Sequence, residues 1–465
     1  MFRDRRQFFT QSGCLGSTAL AWLLSRDARG ADPVSGLHHA PKVKRVVQVF
    51  CPGGVSHIDT FDYKPELEKQ HGKAMTGKGK ADTFFGQPGN LMKSPFKFAK
   101  HGKCGRWVSD LFPNISGHVD DLTFIHSMTA KSANHTPAAF QMNSGFVFNG
   151  FPSFGSWVSY GLGSLNEDLP AFVVLPDPRG HPAGGAINWS SGFLPASHQG
   201  VAFRTTGDPI PDLATPKNTS EKERVAGSDL LAQMNRSFSE ATPGDSSLAA
   251  RIRSYEMAAK MQLEVPGIVN LDSETAETQR LYGLDNKVTE GFGRNCLLTR
   301  RLLEKGVRFV QLWHGGAFGS PRINWDAHED IVDNHRKQAA VLDKPLAGLL
   351  ADMKRRGLLK DTLFVWSTEF GRTPFTQGVG KPGRDHHQHA FTVFLAGAGL
   401  KPGFAHGASD ELGYKTVEGE VSIYDFHATL LHLLGIDHMQ LTYYHNGIQR
   451  RLTDVHGEVV GDILA

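Results

Sequence analysis

Unbroken apolar runs punctuate the chain and mark its first predicted elements. The segment 44–54, KRVVQVFCPGG, enters a glycine-rich loop, and such a run is typical of a parallel strand that is covered on both faces. Other runs of this kind predict strands over 122–128, 171–176, 306–316, 361–371 and 391–399. The chain therefore has the apolar segments that a large buried sheet requires.

Amphipathic helical patterns separate these strands. Helices are predicted over 288–305, 331–356 and 424–435. Gly306 suits the left-handed residue that ends the first helix, and Pro345 indicates a kink or a restart in the second. Alternation of strands and helices predicts an α/β fold: a doubly wound, mostly parallel sheet with helices on both faces.

Two polar segments interrupt this alternation. Residues 64–110 and 180–245 are rich in Gly, Ser and Lys and weakly periodic, so we expect loop excursions around the sheet. The hydrophobic content of 40% and the charged content of 21% are those of a soluble globular protein. We predict a single domain over residues 40–460.

The first 31 residues have the order of an export signal. A basic start is followed by an apolar stretch and a small-residue end, and Arg5-Arg6-Gln7-Phe8-Phe9 resembles the twin-arginine signature. We expect residues 1–31 to be a Tat-type signal peptide read by the Tat export machinery, and the protein to be periplasmic or extracellular. An apolar stretch of about 11 residues is too short to cross a bilayer, so no stable membrane span is expected.

The charge balance excludes one class of partner. The chain has 50 basic and 47 acidic residues, and five of the arginines but only two of the acids lie in the first 31 residues. The remainder is therefore neutral and has no basic stripe, so we expect no nucleic-acid partner.

Ligand-type side chains follow several predicted strands. These are His57, Asp59 and Asp62 after the first strand, His314, Asp326, His328 and Asp330 after 307–313, Glu369 and Arg372 after 362–367, and Asp385, His386, His387 and His389 in GRDHHQHAF. In open α/β sheets, ligands bind beyond the carboxyl ends of the strands. Carboxylates and imidazoles that meet there suit one or two divalent metal ions, such as Zn, Ca or Mn. Alternatively, WDAHED starts a helix and DHHQH is an exposed polar loop.

Two further groups are candidates for catalysis. Arg372 and Arg384 flank the last two clusters, and a guanidinium group can hold a phosphate or sulfate oxyanion in a bidentate grip, unless each arginine forms a surface salt bridge. His135 and Thr136 follow another predicted strand, in NHTPAA, where a hydroxyl is placed as a nucleophile and an imidazole as a base or covalent nucleophile. A threonine before a proline is also a common turn or N-cap residue.

The order of these motifs resembles an uncharacterised family of Tat-exported bacterial proteins. The resemblance lies in GGVSHIDTFDYKP, HSM, NHTPA, WDAH, STEFGRTP, HHQHAFTVFLAGAGLKPG and YDFHATLLHLLGI, and covers most of residues 44–455. That family is catalogued as a domain of unknown function and is regarded as sulfatase-like, within the alkaline phosphatase superfamily. The resemblance implies an alkaline phosphatase/sulfatase-like sheet with metal ligands at the strand ends.

The resemblance also implies roles for individual residues. Glu369 stands at a metal carboxylate position, Asp326 and His328 match the Asp-plus-His pair of two-metal members, and one of His386, His387 and His389 matches a late metal histidine. The resemblance implies that two residues of the last helix, Asp425 and His427, are architectural.

Two departures from the superfamily bear on activity. His135 stands where sulfatases have the cysteine that becomes formylglycine. The first strand ends in Cys51-Pro52-Gly53-Gly54 instead of a metal aspartate, and Asp59 comes several residues later.

Three functions fit this sequence. The first is an exported metal-dependent hydrolase of phosphate or sulfate esters, with a small-molecule or polysaccharide substrate. The second is a catalytically altered or inactive relative that binds polysaccharide or a surface assembly. The third is oxygen or redox chemistry at a His/carboxylate site.

Overall fold

A computed structural model describes residues 37–77, 81–205, 209–210, 219–241, 246–318, 322–378, 380 and 382–465. The signal peptide predicted over residues 1–31 lies outside these ranges. Within them, no helix combines the length and the apolar character needed to cross a membrane.

The strands are numbered in chain order. They are β1 Arg45–Phe50, β2 Pro88–Leu91, β3 Phe98–His101, β4 Arg106–Ser109, β5 Thr123–Thr129, β6 Phe172–Leu175, β7 Val201–Ala202, β8 Phe309–Trp313, β9 Thr362–Ser367, β10 Gly371–Gln377, β11 Arg384–His387, β12 Phe391–Ala396, β13 Ala405–His406, β14 Ala408–Ser409, β15 Thr416–Glu418, β16 Val421–Ser422, β17 Tyr443–His445 and β18 Ile448–Arg450.

The α-helices of the described ranges are numbered in the same way. They are α1 Pro65–Lys69, α2 His135–Ser144, α3 Phe154–Leu162, α4 Glu221–Ala241, α5 Ser246–Val269, α6 Ala276–Leu281, α7 Glu290–Glu304, α8 Ile331–Arg355 and α9 Ile423–Leu433. Each strand and helix expected from the sequence pattern is present, with ends that differ by a few residues.

A nine-stranded sheet occupies the centre of the fold. Its strand order is β13-β5-β12-β9-β1-β8-β6-β7, and β16 pairs with β5 beside this path. Only β12 runs antiparallel to its neighbours β5 and β9, while the other pairs of the sheet are parallel. The predicted α/β class with a mostly parallel sheet is confirmed.

Helices cover both faces of this sheet. Alternate side chains of a strand point to opposite faces. Val47 and Val49 of β1 join the core cluster that contains α7 and α8, whereas Val46 and Phe50 join the cluster that contains α3 and α9. Because β1 is buried on both faces, apolar residues occupy consecutive positions on either side of the buried Gln48.

Some local expectations differ from the structure. Helix α8 runs without interruption through Pro345, whose ring is buried. The excursion predicted over 180–245 contains the whole of the long helix α4, and the excursion over 64–110 contains α1 and three short strands. Apolar side chains of α4 such as Leu230 and Met234 are exposed, so this helix, unlike the predicted ones, does not pack a face against the core of the sheet.

The last helix begins with a reciprocal cap. Ser422 accepts a hydrogen bond from the backbone N–H of Asp425, and the Asp425 carboxylate accepts one from the Ser422 N–H. Nε2 of His427, one turn further on, lies 3.0 Å from the carbonyl oxygen of Met142 in α2. Both contacts agree with the architectural roles that the resemblance implies.

The strand directions bring several loops to one edge of the sheet. The carboxyl ends of the parallel strands β1, β5, β8 and β9 lie at the same edge. Since β12 is antiparallel, it begins at this edge, and β11 directly precedes it in the chain. The loops that carry the ligand-type side chains therefore meet there.

Candidate metal centre

Four buried side chains converge at this edge. They are His135, Asp326, His328 and His386, and one ligand atom from each lies within 4.8 Å of the others. The described ranges contain no second group of three or more His, Cys, Asp or Glu residues with this proximity.

Three separate parts of the chain supply these side chains. His135 is the first residue of α2 and follows β5, Asp326 and His328 lie between β8 and α8, and His386 lies on β11. The structure thus brings together three predicted ligands with His135, for which the sequence had indicated a role as base or nucleophile.

The outer nitrogen of each histidine is held by an oxygen atom. Nδ1 of His135 lies 2.6 Å from Oε1 of Glu369, Nδ1 of His386 lies 2.6 Å from the carbonyl oxygen of Ala133, and Nδ1 of His328 lies 2.5 Å from Oε1 of Gln377. These oxygens only accept, so each Nδ1 carries the proton and each Nε2 presents a lone pair. Metal-binding histidines typically have such outer partners, which fix the tautomer and the ring.

The inner atoms lie close to one another. Nε2 of His328 is 2.8 Å from Nε2 of His386, and Oδ1 of Asp326 is 2.8, 3.3 and 3.5 Å from Nε2 of His328, His135 and His386 respectively. Nε2 of His135 is buried and has no hydrogen-bond partner. Lone pairs that face each other repel, and a cation among them removes this repulsion.

These spacings fit a small divalent cation. Ligand atoms at about 2.0–2.1 Å from a tetrahedral Zn²⁺ are about 3.3 Å from one another. Four of the six distances between these atoms run from 2.8 to 3.5 Å and bracket that value. Three imidazoles and one carboxylate therefore form a donor set of suitable size and chemistry.

The environment keeps Asp326 and His386 in the protonation states that suit a metal ligand. Burial alone would raise the pKa of Asp326, but the Arg372 guanidinium and the surrounding histidines lower it well below its usual range. Burial lowers the pKa of His386 to about 2, and the nearby Arg372 adds to this effect although Asp326 opposes it. The carboxylate is therefore ionised and the imidazole neutral at ordinary pH.

The glycine pair after β1 allows the loops to approach each other. The backbone N–H of Gly53 donates to Oε1 of Glu369 at 2.7 Å. Gly53 has a φ of +115°, and a Cβ added there would lie 2.4 Å from the backbone nitrogen of Asp326. A side chain at this position would displace the backbone next to a candidate ligand. In this chain Gly53 therefore serves the site through close packing.

Arg372 contacts the carboxylate of Asp326 from the protein interior. It is fully buried, with Nη2 2.7 Å from Oδ1 of Asp326, and its other donors reach the carbonyl oxygens of Gly53, Gly54 and Arg384. It forms neither the surface salt bridge nor the open oxyanion grip considered from the sequence, because all three of its nitrogens already donate within the protein. Its role in the structure is to orient Asp326.

Two other predicted ligands, Asp59 and Glu369, do not belong to the group of four. Asp59 is fully buried and pairs with Arg384, with Oδ2 2.6 Å from Nε of the arginine. Glu369 contacts His135 but is not one of the four inner residues.

The segment 385–389 sends only one of its predicted ligands to the centre. Nε2 of His387 contacts the carbonyl oxygen of Tyr414, and Nε2 of His389 lies 2.9 Å from Oδ2 of Asp82. Oδ2 of Asp385 accepts backbone hydrogen bonds from residues 84 and 85. Neighbouring residues of a strand point to opposite faces, so His386 and His387 of β11 cannot share one site.

A cavity of about 450 Å³ opens onto the four ligands. Its polar wall includes the half-buried Thr136, the second residue of α2, together with Asn134, Gln377 and Arg322. Nη1 of Arg322 lies 3.1 Å from the carbonyl oxygen of Asp326, and its side chain is 37% exposed. The cavity therefore combines a hydroxyl, a cationic group and the candidate metal ligands.

Several residues of this site were missed in the sequence. Gln377 and Arg322 are not metal-ligand residue types and were passed over, although Arg322 lies only four residues before Asp326, and the carbonyl of Ala133 has no sequence signal. Phe84 and Phe85, which line the cavity, lie in the segment interpreted as a loop excursion. The occurrence of two adjacent aromatic residues within a polar segment is the one signal that could have identified them.

The solved structures that resemble the chain have low sequence identity. Among them, the lipoteichoic acid synthase LtaP from Listeria monocytogenes is 9% identical with a TM-score of 0.37, and the match covers 92% of this chain and 80% of that one. The alkaline phosphatase from the Antarctic bacterium TAB5 is 10% identical with a TM-score of 0.36, over 86% and 99% of the two chains. The PsFucS1 sulfatase from Pseudoalteromonas sp. is 13% identical with a TM-score of 0.34, over 88% and 74%.

Sequence comparison places the chain in a family. No curated protein matches it. A family described as "Protein of unknown function (DUF1501)" matches residues 43–464, which is nearly the whole described chain. The chain therefore belongs to the DUF1501 family of proteins of unknown function.

Proposed function

We propose that this protein is a metal-dependent hydrolase of phosphate or sulfate esters. The observation that carries the proposal is the convergence of three histidine Nε2 lone pairs and one aspartate oxygen, each histidine held by an outer oxygen acceptor. The sequence motifs that resemble sulfatase-like proteins support the ester class.

The donor set favours one transition-metal ion. His135, His328 and His386 supply nitrogen, and imidazole ligands suit Zn, Fe, Cu or Ni, whereas Ca and Mg prefer oxygen ligands. Zn²⁺ is the ion that we propose. Bound there, it would polarise an ester oxygen and lower the pKa of a water molecule.

The residues around the centre support anion binding and attack on an ester. Arg322 brings a positive charge to the cavity beside Asp326, where an ester oxyanion can be held. Thr136 lines the same cavity from the first turn of α2, so its hydroxyl competes with water for the role of nucleophile. Glu369 keeps the proton on Nδ1 of His135 and thereby keeps Nε2 free as a ligand.

We also propose that the protein is exported through the twin-arginine pathway and acts in the periplasm or outside the cell. The support for this is the sequence of residues 1–31, with its paired arginines, apolar stretch and small-residue end.

Elemental analysis combined with an ester panel tests the function. The full chain is recovered after export from a bacterial host, and the metal content is measured for the wild type, His328→Ala, His386→Ala and His389→Ala. We expect about one zinc per chain in the wild type and in His389→Ala, because His389 lies outside the group of four, and little metal in the other two variants.

The same preparations are assayed with 4-nitrophenyl phosphate and 4-nitrophenyl sulfate. Turnover that follows metal content across the four proteins supports the proposal. Stoichiometric metal without turnover of either ester overturns it in favour of a binding protein. Bound redox-active iron or copper together with oxygen consumption overturns the proposal in favour of redox chemistry. Wild-type protein that contains no metal overturns the candidate metal centre as well.

A further inference from the structure

Three aromatic side chains surround the outer side of the candidate metal centre. Phe84 packs against the ring of His386 with 4.8 Å between ring centroids, Phe85 meets His328 edge-on at 5.3 Å, and Phe318 stacks on His135 at 4.1 Å. All three line the cavity that opens onto the four ligands. We call Phe84, Phe85 and Phe318 the aromatic rim.

Shielding of the histidines does not account for the rim. Phe370 is fully buried and contacts both His135 and His386 at 4.8 Å, so it already provides apolar packing on the protein side of the centre. Phe84 and Phe85, by contrast, are 40% and 46% exposed. Exposed aromatic surface beside a polar site is a common feature of ligand binding.

The rim is held in place by a buried carboxylate. Oδ2 of Asp385 accepts hydrogen bonds from the backbone N–H groups of Phe84 and Phe85, at 2.8 and 2.9 Å. Oδ1 of the same residue accepts one from the N–H of His386 at 2.8 Å. Asp385 therefore fixes the two exposed rings relative to a metal ligand, which is the kind of support that a binding site needs.

We propose that the aromatic rim binds the ring of the substrate's alcohol portion, so that the preferred substrates are esters of cyclic alcohols. This inference rests on the proposed function, since it assumes that an ester oxyanion binds at the centre. An ester whose oxyanion lies beside Arg322 and the four ligands places its alcohol portion among Phe84, Phe85 and Phe318, which line the same cavity. The cavity of about 450 Å³ falls in the range of sites for single small molecules.

Aryl rings and saturated sugar-like rings share the flat apolar face that such a site recognises. Aromatic side chains stack on either, and each aromatic contact contributes a few-fold to affinity, so the two exposed rings together give about a tenfold preference over a methyl group. Linear alkyl alcohols lack a face of this kind.

Non-hydrolysable phosphonates test the inference by binding alone. Affinities of phenylphosphonate, cyclohexylphosphonate and methylphosphonate for the metal-loaded full chain are measured by calorimetry. We expect at least one ring-bearing ligand to bind about tenfold more tightly than methylphosphonate. Tighter binding of the phenyl compound assigns an aryl alcohol, and tighter binding of the cyclohexyl compound assigns a saturated ring.

Variants connect this preference to the rim. The double substitution Phe84→Ala/Phe85→Ala is expected to abolish the preference while metal content and methylphosphonate affinity stay the same. Phe148→Ala, at an exposed phenylalanine that does not line the cavity, should keep it. Asp385→Ala should lower the ratio of ring-bearing to methylphosphonate affinity, since Asp385 positions the rim.

The outcomes separate this inference from the proposed function. Equal affinity for all three phosphonates, failure of all three to bind, or a ring preference that survives in the double variant overturns the aromatic rim as a binding site. A ring preference without ester turnover supports the aromatic rim as a binding site and overturns the proposed hydrolase activity. Ester turnover without a ring preference supports the hydrolase activity and overturns the rim.

Discussion

Nδ1 of His135 lies 2.6 Å from Oε1 of Glu369, and this contact turns the opposite nitrogen of the histidine towards Asp326. Glu369 was expected to be a metal ligand, yet in the structure it contacts the outer nitrogen of His135 and is not one of the four inner residues. The same oxygen accepts a hydrogen bond from the N–H of Gly53, so Glu369 also ties the loop after β1 to the centre.

Glu369→Gln should therefore weaken metal binding without removing the site. The glutamine keeps the shape of the side chain but loses the charge that holds the proton on Nδ1 of His135. Outer-partner substitutions of this kind typically cost about 10–100-fold in metal affinity. Competition with a chelator measures the affinity. Glu458→Gln, at an exposed position away from the four ligands, is the control, and equal affinity in both variants would contradict the outer role of Glu369.

Asp59→Asn is expected to reduce stability while leaving metal content unchanged. Asp59 and Arg384 form a fully buried ion pair in which both carboxylate oxygens take part, at 2.6 and 3.1 Å. Loss of one charge leaves Arg384 uncompensated, which typically lowers the free energy of unfolding by about 3–5 kcal/mol.

Chemical denaturation and elemental analysis of the same sample test this prediction. Glu66→Gln, which breaks the exposed contact with Lys69, serves as a comparison and should not change stability measurably. If Asp59→Asn lost its metal yet unfolded like the wild type, Asp59 would be a ligand after all.

Periodicity predicted the fold well because its signal is repeated along each element. β1 reads as a parallel strand since Val46, Val47, Val49 and Phe50 are all buried. The polar clusters were also expected at one sheet edge, because parallel strands place their carboxyl ends together.

The direction of individual side chains could not be predicted in this way. A run such as DHHQH shows that histidines are present, but alternation along β11 decides which of them reaches the centre, and the sequence alone does not fix its phase. The partners of Asp59 and Arg372 are distant in the chain, at separations of 325 and 46 residues, so no local pattern reveals them. Phe84 and Phe85 reach the site through hydrogen bonds from their backbone, which leave no trace in composition.

Acid should destabilise the protein in part through His427, which lies far along the chain from the candidate ligands. Burial lowers the pKa of His427 to about 4 from the usual 6.5. The folded state thus binds this proton less readily than the unfolded state. Above pH 6.5 the ring is neutral in both states, so it does not lower the free energy of unfolding. Between pH 6.5 and 4 the unfolded state binds the proton and the folded state does not, so the free energy of unfolding falls by about 1.4 kcal/mol per pH unit.

His427→Gln should reduce that decline. Free energies of unfolding are measured between pH 7.5 and 4.5 in the presence of a chelator, so that metal binding does not contribute. We expect a shallower dependence in the variant over the acidic half of this range. Phe148→Ala removes no titrating group and should reproduce the wild-type slope. Parallel curves for His427→Gln and the wild type would show that His427 is not held neutral by burial.

Gly53→Ala should disrupt the centre through the backbone alone. A Cβ at Gly53 would lie 2.4–2.7 Å from backbone atoms of residues 325 and 326, and none of these can move without displacing Asp326.

Gly150 is a matched control, since it also has a positive φ, +91° against +115°, but a Cβ there meets nothing within 4 Å. Gly150→Ala should lower the free energy of unfolding by only about 1–3 kcal/mol, the strain of the left-handed backbone. Gly53→Ala should lower the free energy of unfolding by more than this and should also lose metal. If Gly53→Ala kept its full metal content, the close packing of Gly53 against residues 325 and 326 would not determine the position of Asp326.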